Sequence, residues 1–164
     1  MFLYERILIT CVLLQIDATQ PILSPIDSKK EREMRLITHN MLKCNIKGVE
    51  NGYPLEIQAE EVEEVEADNP FELAFMRGLL RKVNLKALKS AAANLGMDII
   101  DELNTSDDKI DVDALLNNET ALQHIHHLLF EINIETGTLV CPQSGRQFQV
   151  NDGIPNMLLH EDEV

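Results

Sequence analysis

Cys141-Pro142-Gln143-Ser144-Gly145 is the stretch of this sequence that comes nearest to a metal-binding device. The pattern C-P-x-C-G forms the knuckle of a zinc ribbon, in which two thiolates pinch one metal across a tight turn. Here Ser144 holds the second thiolate position, and a hydroxyl is a poor zinc ligand at neutral pH because it would have to lose its proton. Cys44 is a remote partner, with no second cysteine close behind it. Two thiolates do not close a structural site, so the spacing predicts the shape of the knuckle without its metal. His124, His126 and His127 form a second cluster. His124 and His127 share a helical face, but no carboxylate stands at the spacing of a hydrolytic zinc site, and a structural or partly exposed role is expected. The carboxylates Asp98, Asp101, Glu102, Asp107, Asp108, Asp111 and Asp113 fail the calcium-loop pattern, lacking its sixth-position Gly and twelfth-position Glu. They read as a solvated acidic loop. No glycine loop of the G-x-G-x-x-G or G-x-x-x-x-G-K kind is present, so nothing here cradles S-adenosylmethionine or ATP.

Charge narrows the field further. The net charge of −14 repels phosphate backbones, and no Lys/Arg stripe was evident to offset it. An aromatic content of 4% is too low for a base-stacking platform. Hydrophobic residues at 45% speak against disorder throughout, and 164 residues suffice for one domain with a core. Three cysteines give no disulfide framework and favour a reducing compartment.

The elements that would position these residues begin at Met34. Arg35–Thr38 is short, apolar and β-competent, and reads as a strand. Leu55, Ile57 and Ala59 alternate with Glu56, Gln58 and Glu60 at the period of a half-buried strand, and the break at Glu60-Glu61 suggests a bulge. Asn69-Pro70-Phe71-Glu72 has the form of a helix start, with a core stripe of Phe71, Phe75 and Leu79. Asn84 caps a second helix whose stripe is Leu85, Leu88, Ala92 and Leu95, ended by Gly96. A loop at Ser106-Asp107-Asp108 leads to a third helix near Glu119–Phe130, with Leu122, Ile125 and Leu129 inward. Strand signals then return: Ile132 and Ile134, a turn at Glu135-Thr136-Gly137, Thr138–Cys141, Gln147–Val150, the hairpin turn Asn151-Asp152-Gly153, and a closing strand Ile154–Leu159. The predicted architecture is α+β. A small zinc-ribbon-like antiparallel sheet is built from both chain ends (34–68 and 131–164), with a three-helix insertion (69–130) between them.

Residues 1–33 read differently. Ile7–Ile16 is an apolar run too short to span a bilayer. It is long enough for a signal peptide, but Glu5 opposes Arg6 in the leading segment and no good small-residue cleavage site follows. The segment is expected to be an extension outside the domain, either a flexible or helical appendage or the product of a different translation start. From Met34 onward, 10 Lys and Arg stand against 23 Asp and Glu, leaving −13.

Five segments occur together in order: MRLITHNMLKC at Met34–Cys44, the NPFE helix start, IHHLLFEI at Ile125–Ile132, GTLVCPQSGRQF at Gly137–Phe148 and GIPNMLL at Gly153–Leu159. Together they resemble the multifunctional methyltransferase subunit family, the eukaryotic activators of tRNA, ribosomal RNA and release-factor methyltransferases. The likeness spans Met34–Val164 and none of residues 1–33. It implies a ribbon-like sheet with a helical insertion, no catalytic residues, and docking onto a methyltransferase domain to which the subunit lends a strand. Zinc-holding members use four cysteines. The second of these falls at Val49 here and the last at Ser144, so Cys44 and Cys141 are remnants of a zinc site.

The expected function is therefore a non-catalytic activating and stabilising subunit. It would form heterodimers with several S-adenosylmethionine-dependent methyltransferases, with the cofactor held by the partner and RNA met mainly there. The predicted docking residues are Arg35, Leu36, Ile37, Thr38 and Asn40 with Ile154, Pro155, Asn156, Met157 and Leu158. The run Met157-Leu158-Leu159 would be a liability on a free surface. No membrane association is expected, and the compartments are cytoplasm and nucleus. The competing reading is a free-standing ribbon-type module that binds ribosome or RNA.

Overall fold

The longest C-terminal strand is the spine of the sheet. In the computed structural model, which describes residues 33–103 and 110–161, Ile132–Val140 runs as nine residues of continuous strand. In chain order the elements are α1 (Leu36–Met41), β1 (Glu56–Glu64), α2 (Leu73–Leu80), α3 (Leu85–Asn94), α4 (Val112–Asn117), α5 (Glu119–Phe130), β2 (Ile132–Val140), β3 (Gln147–Asn151) and β4 (Ile154–Pro155). The sheet is antiparallel throughout, in the order β1-β2-β3-β4. The fold is α+β, with α2 to α5 lying between β1 and β2 in the chain.

β1 meets β2 from Glu56↔Val140 to Glu64↔Ile132, with register shifts on either side of Glu61. Glu60 and Glu135 are the residues left out of register, so the break in alternation at Glu60-Glu61 is a bulge. The turn expected at Glu135-Thr136-Gly137 is absent, because β2 runs straight through it, with Thr136 and Gly137 paired to β1 and Glu135 at the bulge. Gly137 marks a close approach instead. A Cβ there would lie 2.6 Å from the carbonyl oxygen of Gln58 on β1. The β3–β4 hairpin turns through Asp152 (φ 49°) and Gly153 (φ 71°), two left-handed residues in succession, as the Asn-Asp-Gly signal requires. The closing strand is only Ile154–Pro155, shorter than the six residues expected, because Pro155 has no N–H to extend the ladder.

Two helices follow the sequence closely. Asn84 caps α3 by accepting from the N–H groups of Lys86 and Ala87, and Gly96 ends the segment at φ 66°. α5 spans Glu119–Phe130, with Leu122, Ile125 and Leu129 fully buried. Others differ. α2 begins at Leu73, not at Asn69, and its buried residues are Met76 and Leu80. Phe75 is 48% exposed and Phe71 lies edge-on to His126, so the stripe is rotated one position from Phe71, Phe75 and Leu79. α4 makes a fourth helix in the insertion, capped by Asp111 through the N–H groups of Asp113 and Ala114. Its six residues are too few for a periodic signal, and it sits in what reads as acidic loop. Ser106–Asp108 lies outside the described residues.

The largest departure is at Arg35–Thr38. Only Arg35 pairs, as an isolated antiparallel bridge to Asn133, and the chain then coils into α1. The buried face of α1 is Leu36, His39 and Asn40, a helical spacing hidden by two polar residues. Each polar member finds partners. Asn40 Oδ1 accepts from the N–H of Asn84 (2.9 Å), its Nδ2 donates to the Asn84 carbonyl (2.8 Å), and its own carbonyl accepts from the Tyr53 hydroxyl (2.9 Å). One side chain thus imitates a strand neighbour for the residue that caps α3.

Helices and sheet share one core, including Leu122, Ile125 and Leu129 of α5, Leu88 and Ala92 of α3, Ile134 and Leu139 of β2, and Phe148 and Val150 of β3. Each fully buried large side chain contributes about 1.5–3 kcal/mol. Asn40→Ala removes both side-chain contacts to Asn84, leaving its N–H unpaired while its carbonyl keeps the helix bond from the Leu88 N–H, and is expected to destabilise the protein by about 1–3 kcal/mol in a denaturant titration. Asn84→Ala, which removes one cap, should cost only about 1 kcal/mol in the same assay.

Candidate docking surface

Both halves of the expected site converge on one edge of β2. Its other edge is taken by β1, which pairs Glu63 with Asn133. On the free side, Arg35 bridges Asn133, the N–H of Ile134 donates to the Met34 carbonyl (3.0 Å), and two residues on the N–H of Gly153 donates to the Glu135 carbonyl (3.0 Å). The segment leading into α1 and the turn leading into β4 are therefore neighbours along a single strand. β4 itself pairs only with β3, which leaves its outer side open among the described residues.

The named residues divide by exposure. Leu36 is fully buried, and Arg35 and Asn40 are buried too, so these three shape the site from beneath. The Arg35 guanidinium is clamped by Glu33 (Nε to Oε2, 2.8 Å, with a second, shorter contact from Nη2) and by Asp68 (Nη1 to Oδ2, 3.0 Å). Burial works against its charge, but the hydrogen bond and charge of Glu33, then those of Asp68, outweigh it and hold the guanidinium above its ordinary pKa. Asn156 donates its backbone N–H to Gln149 and accepts from the N–H of Leu158 through Oδ1 (3.2 Å), fixing the end of the hairpin. Met157 is half-buried against the core. Thr38 is exposed, Ile37 and Pro155 half-buried. The uncovered apolar side chains are Leu158 at 79%, Met41 at 59% and Ile154 at 46%. Met41, at the solvent end of α1, becomes visible as a candidate once 36–41 is read as helix.

The cysteine knuckle is formed. The N–H of Cys141 donates to the Arg146 carbonyl (2.8 Å) and that of Gly145 to the Cys141 carbonyl (2.9 Å), while Ser144 N–H donates to Cys141 Sγ (3.4 Å). Cys44 and Cys141 are both buried free thiols facing one another. Burial raises the Cys44 pKa; at Cys141 burial is outweighed by hydrogen bonds from Ser144, Gln143 and Cys44, which lower it. Gly52 closes the opposite side, where a Cβ would fall 2.8 Å from Cys44 Cβ, and Asn51 N–H reaches Gln143 Oε1 (2.6 Å). The donor set is two sulfurs, a hydroxyl and, in Val49, no donor at all. That does not fit tetrahedral zinc.

The histidines stay neighbours, with the His124 and His127 rings 6.5 Å apart and Glu131 shared by His126 and His127, but their contacts differ. His124 Nε2 lies 3.1 Å from the Asp98 carbonyl, and His126 is buried beside Phe130 and Phe71. His127 Nδ1 sits 2.6 Å from Glu131 Oε2 and 4.0 Å from Glu64 Oε1. The carboxylates missing from the sequence reading are thus Glu131, one helical turn on, and Glu64, brought in by β1. His39 was not singled out at all, yet it is the most buried histidine. Its Nε2 donates to the Leu55 carbonyl (2.8 Å), Nδ1 has no partner among the described residues, and burial depresses its pKa from 6.5. Because the unfolded imidazole protonates first, this group's contribution to stability is complete above pH 6.5 and is lost as the pH falls below it. The expected slope is about 1.4 kcal/mol per pH unit until the folded imidazole also protonates. His39→Gln, which keeps a donor for Leu55, should flatten that segment of a stability–pH profile.

Comparison with known proteins agrees with this architecture. The family model described as Trm112p-like protein matches residues 35–153. Multifunctional methyltransferase subunit TRM112 homolog A of Arabidopsis thaliana is 50% identical over 131 residues, covering 80% of this chain and 100% of its own. The mouse TRM112-like protein is 40% identical over 134 residues, covering 80% of this chain and 98% of its own. Among solved structures, the E. cuniculi Mtq2–Trm112 complex, described as responsible for methylation of the eRF1 translation termination factor, aligns at TM-score 0.50 and 20% identity. The alignment covers 76% of this chain and 95% of that one, and it supports the fold. With most of its length matched by the family model and by relatives at this level of identity, the chain belongs to the Trm112p-like family of multifunctional methyltransferase subunits.

Proposed function

We propose that this protein is a non-catalytic subunit that binds, stabilises and activates S-adenosylmethionine-dependent methyltransferases acting on tRNA, small-subunit ribosomal RNA and the peptide-release factor. The observation that carries this reading is the edge of β2, where α1 and the β4 hairpin present Met41, Ile154 and Leu158 uncovered beside an unpaired strand. An exposed apolar edge is costly for a free protein and serviceable for one that lives in a heterodimer. Strand addition there supplies backbone hydrogen bonds, while alternate side chains fill pockets on the partner. The relatives are named as methyltransferase subunits, and the chain spans their whole length.

Chemistry and cofactor belong to the partner in this reading, since the sequence has no glycine loop to hold S-adenosylmethionine. The subunit also dispenses with structural zinc, because Val49 and Ser144 stand where thiolates are needed. With partners that modify tRNA and ribosomal RNA, the compartments expected for it are cytoplasm and nucleus. No helix among the described residues is long and apolar enough to cross a membrane.

Leu158→Asp is the sharpest test. Leu158 is 79% exposed, so the free subunit should keep its stability within about 0.5 kcal/mol. In a heterodimer the new charge is desolvated without a partner, costing on the order of 3–5 kcal/mol and weakening binding at least about a hundredfold. Met157→Asp is the poorer probe, because Met157 packs on the core. Co-expression with a methyltransferase, followed by affinity purification, reads the difference. Normal recovery of the Leu158→Asp complex would place docking elsewhere. Two further outcomes are expected of the purified subunit: no methyl transfer to tRNA or release factor without a partner, and far less than one zinc per chain by elemental analysis.

A further inference from the structure

Between Glu72 and Asp98 the chain has no acidic residue and five cations: Arg77, Arg81, Lys82, Lys86 and Lys89. These are half of the Lys and Arg present from Met34 onward, in a protein whose net charge is −14. They fall on α2, α3 and the turn between them. They give the acidic chain one stretch of local positive charge. Arg77, Arg81, Lys82 and Lys86 are exposed. Arg81 and Lys86 line one open depression of about 700 Å³, floored by Leu80, Val83 and Leu85.

We propose that this basic face of α2 and α3 contacts the phosphate backbone of the RNA substrate when the protein is assembled with an RNA methyltransferase, the heterodimer proposed above. Net charge does not forbid it. At physiological salt the Debye length is about 8 Å, so the carboxylates of distant elements are screened and the local array sets the contact. Cations at i, i+3 and i+4 spacing on a helix lie about 5–6 Å apart at Cβ, giving a repeated rather than a single point of attachment. The composition favours RNA over an acidic protein. Protein interfaces are depleted in Lys, and three of the five cations here are Lys. Phe75 is the one exposed aromatic of the segment, too few for a base-stacking platform, so the contact is one of backbone positioning, with sequence read by the partner.

The test uses the heterodimer with an RNA methyltransferase and an unmodified tRNA transcript, measuring Kd against salt together with KM and kcat. The triple variant Arg81→Gln, Lys82→Gln, Lys86→Gln should raise Kd and KM roughly tenfold at 0.15 M salt. It should lower the slope of log Kd against log salt by about 2, at 0.7–0.9 per lost phosphate contact, and leave kcat unchanged. The charge-retaining triple Arg81→Lys, Lys82→Arg, Lys86→Arg should restore both, and Lys47→Gln, outside the patch, should alter neither. Unchanged Kd and slope in the neutral triple overturn the proposal. So does a defect confined to methylation of the release factor, which would make the occupant an acidic protein. Failure of the unaltered chain to form any heterodimer would instead overturn the functional reading on which this one rests.

Discussion

The structure depends on the pairing of β2 along both edges. One edge is continuous, matched by β1 over the full length of the strand. The other is assembled from three pieces remote in sequence: β3, the turn at Gly153, and the Met34–Arg35 segment. Each uncovered backbone group on a buried strand would cost about 1–3 kcal/mol, so all three pieces are drawn to it. The bulge at Glu135 lets the strand serve them. It turns the Glu135 carbonyl toward Gly153 while Ile134 still faces Met34. What reaches solvent beyond these pieces, α1 on one side and the β4 hairpin on the other, is the surface proposed above to meet a partner.

Polar side chains inside this frame act as local substitutes for backbone. Asn40 supplies Asn84 with a donor and an acceptor in the manner of a neighbouring strand, and His39 closes the Leu55 carbonyl just before β1 begins. Arg35 does the same electrostatically, tying Glu33 to Asp68 across the entry to the domain. None of these contacts is a surface decoration. Their value lies in directing α1, which has only six residues and could not hold a direction by helix propensity alone.

How far this was legible in the sequence follows from where the periodicity was carried. α3 and α5 place apolar residues at helical spacing between clear caps, and both are readable to within a residue or two. β1 is readable for the same reason at period two, including its bulge. α1 is not, because its inward stripe is Leu36, His39 and Asn40, and two of the three look like surface residues. Phe71 and Phe75 misled in the opposite sense. Large aromatics suggested a core, while the fold uses Met76 and Leu80 and leaves Phe75 against Phe130 near the surface. In β2, Asn133 and Glu135 hid the central strand behind the appearance of a turn. The proposed docking region rests on motif and chain position, and which of its residues face outward required the structure.

The cysteine knuckle, on the proposal that it holds no zinc, needs other crosslinks in place of the metal. In a zinc ribbon the ion crosslinks two turns that have few contacts of their own, and its binding free energy is folding free energy. Here the two turns are held by ordinary means: Asn51 to Gln143 across the gap, Gly52 packed against Cys44, and the Cys141–Arg146 and Gly145–Cys141 hydrogen bonds within the second turn. Each is worth about 0.5–1.5 kcal/mol, far short of what a structural zinc provides. The deficit has to be met by the shared core of sheet and helices, whose buried Leu, Ile and Phe side chains join the ribbon to the insertion. That dependence explains why the insertion cannot be an independent appendage of the sheet. If the ribbon holds no metal, as proposed, α3 and α5 supply the packing that the ion would otherwise replace.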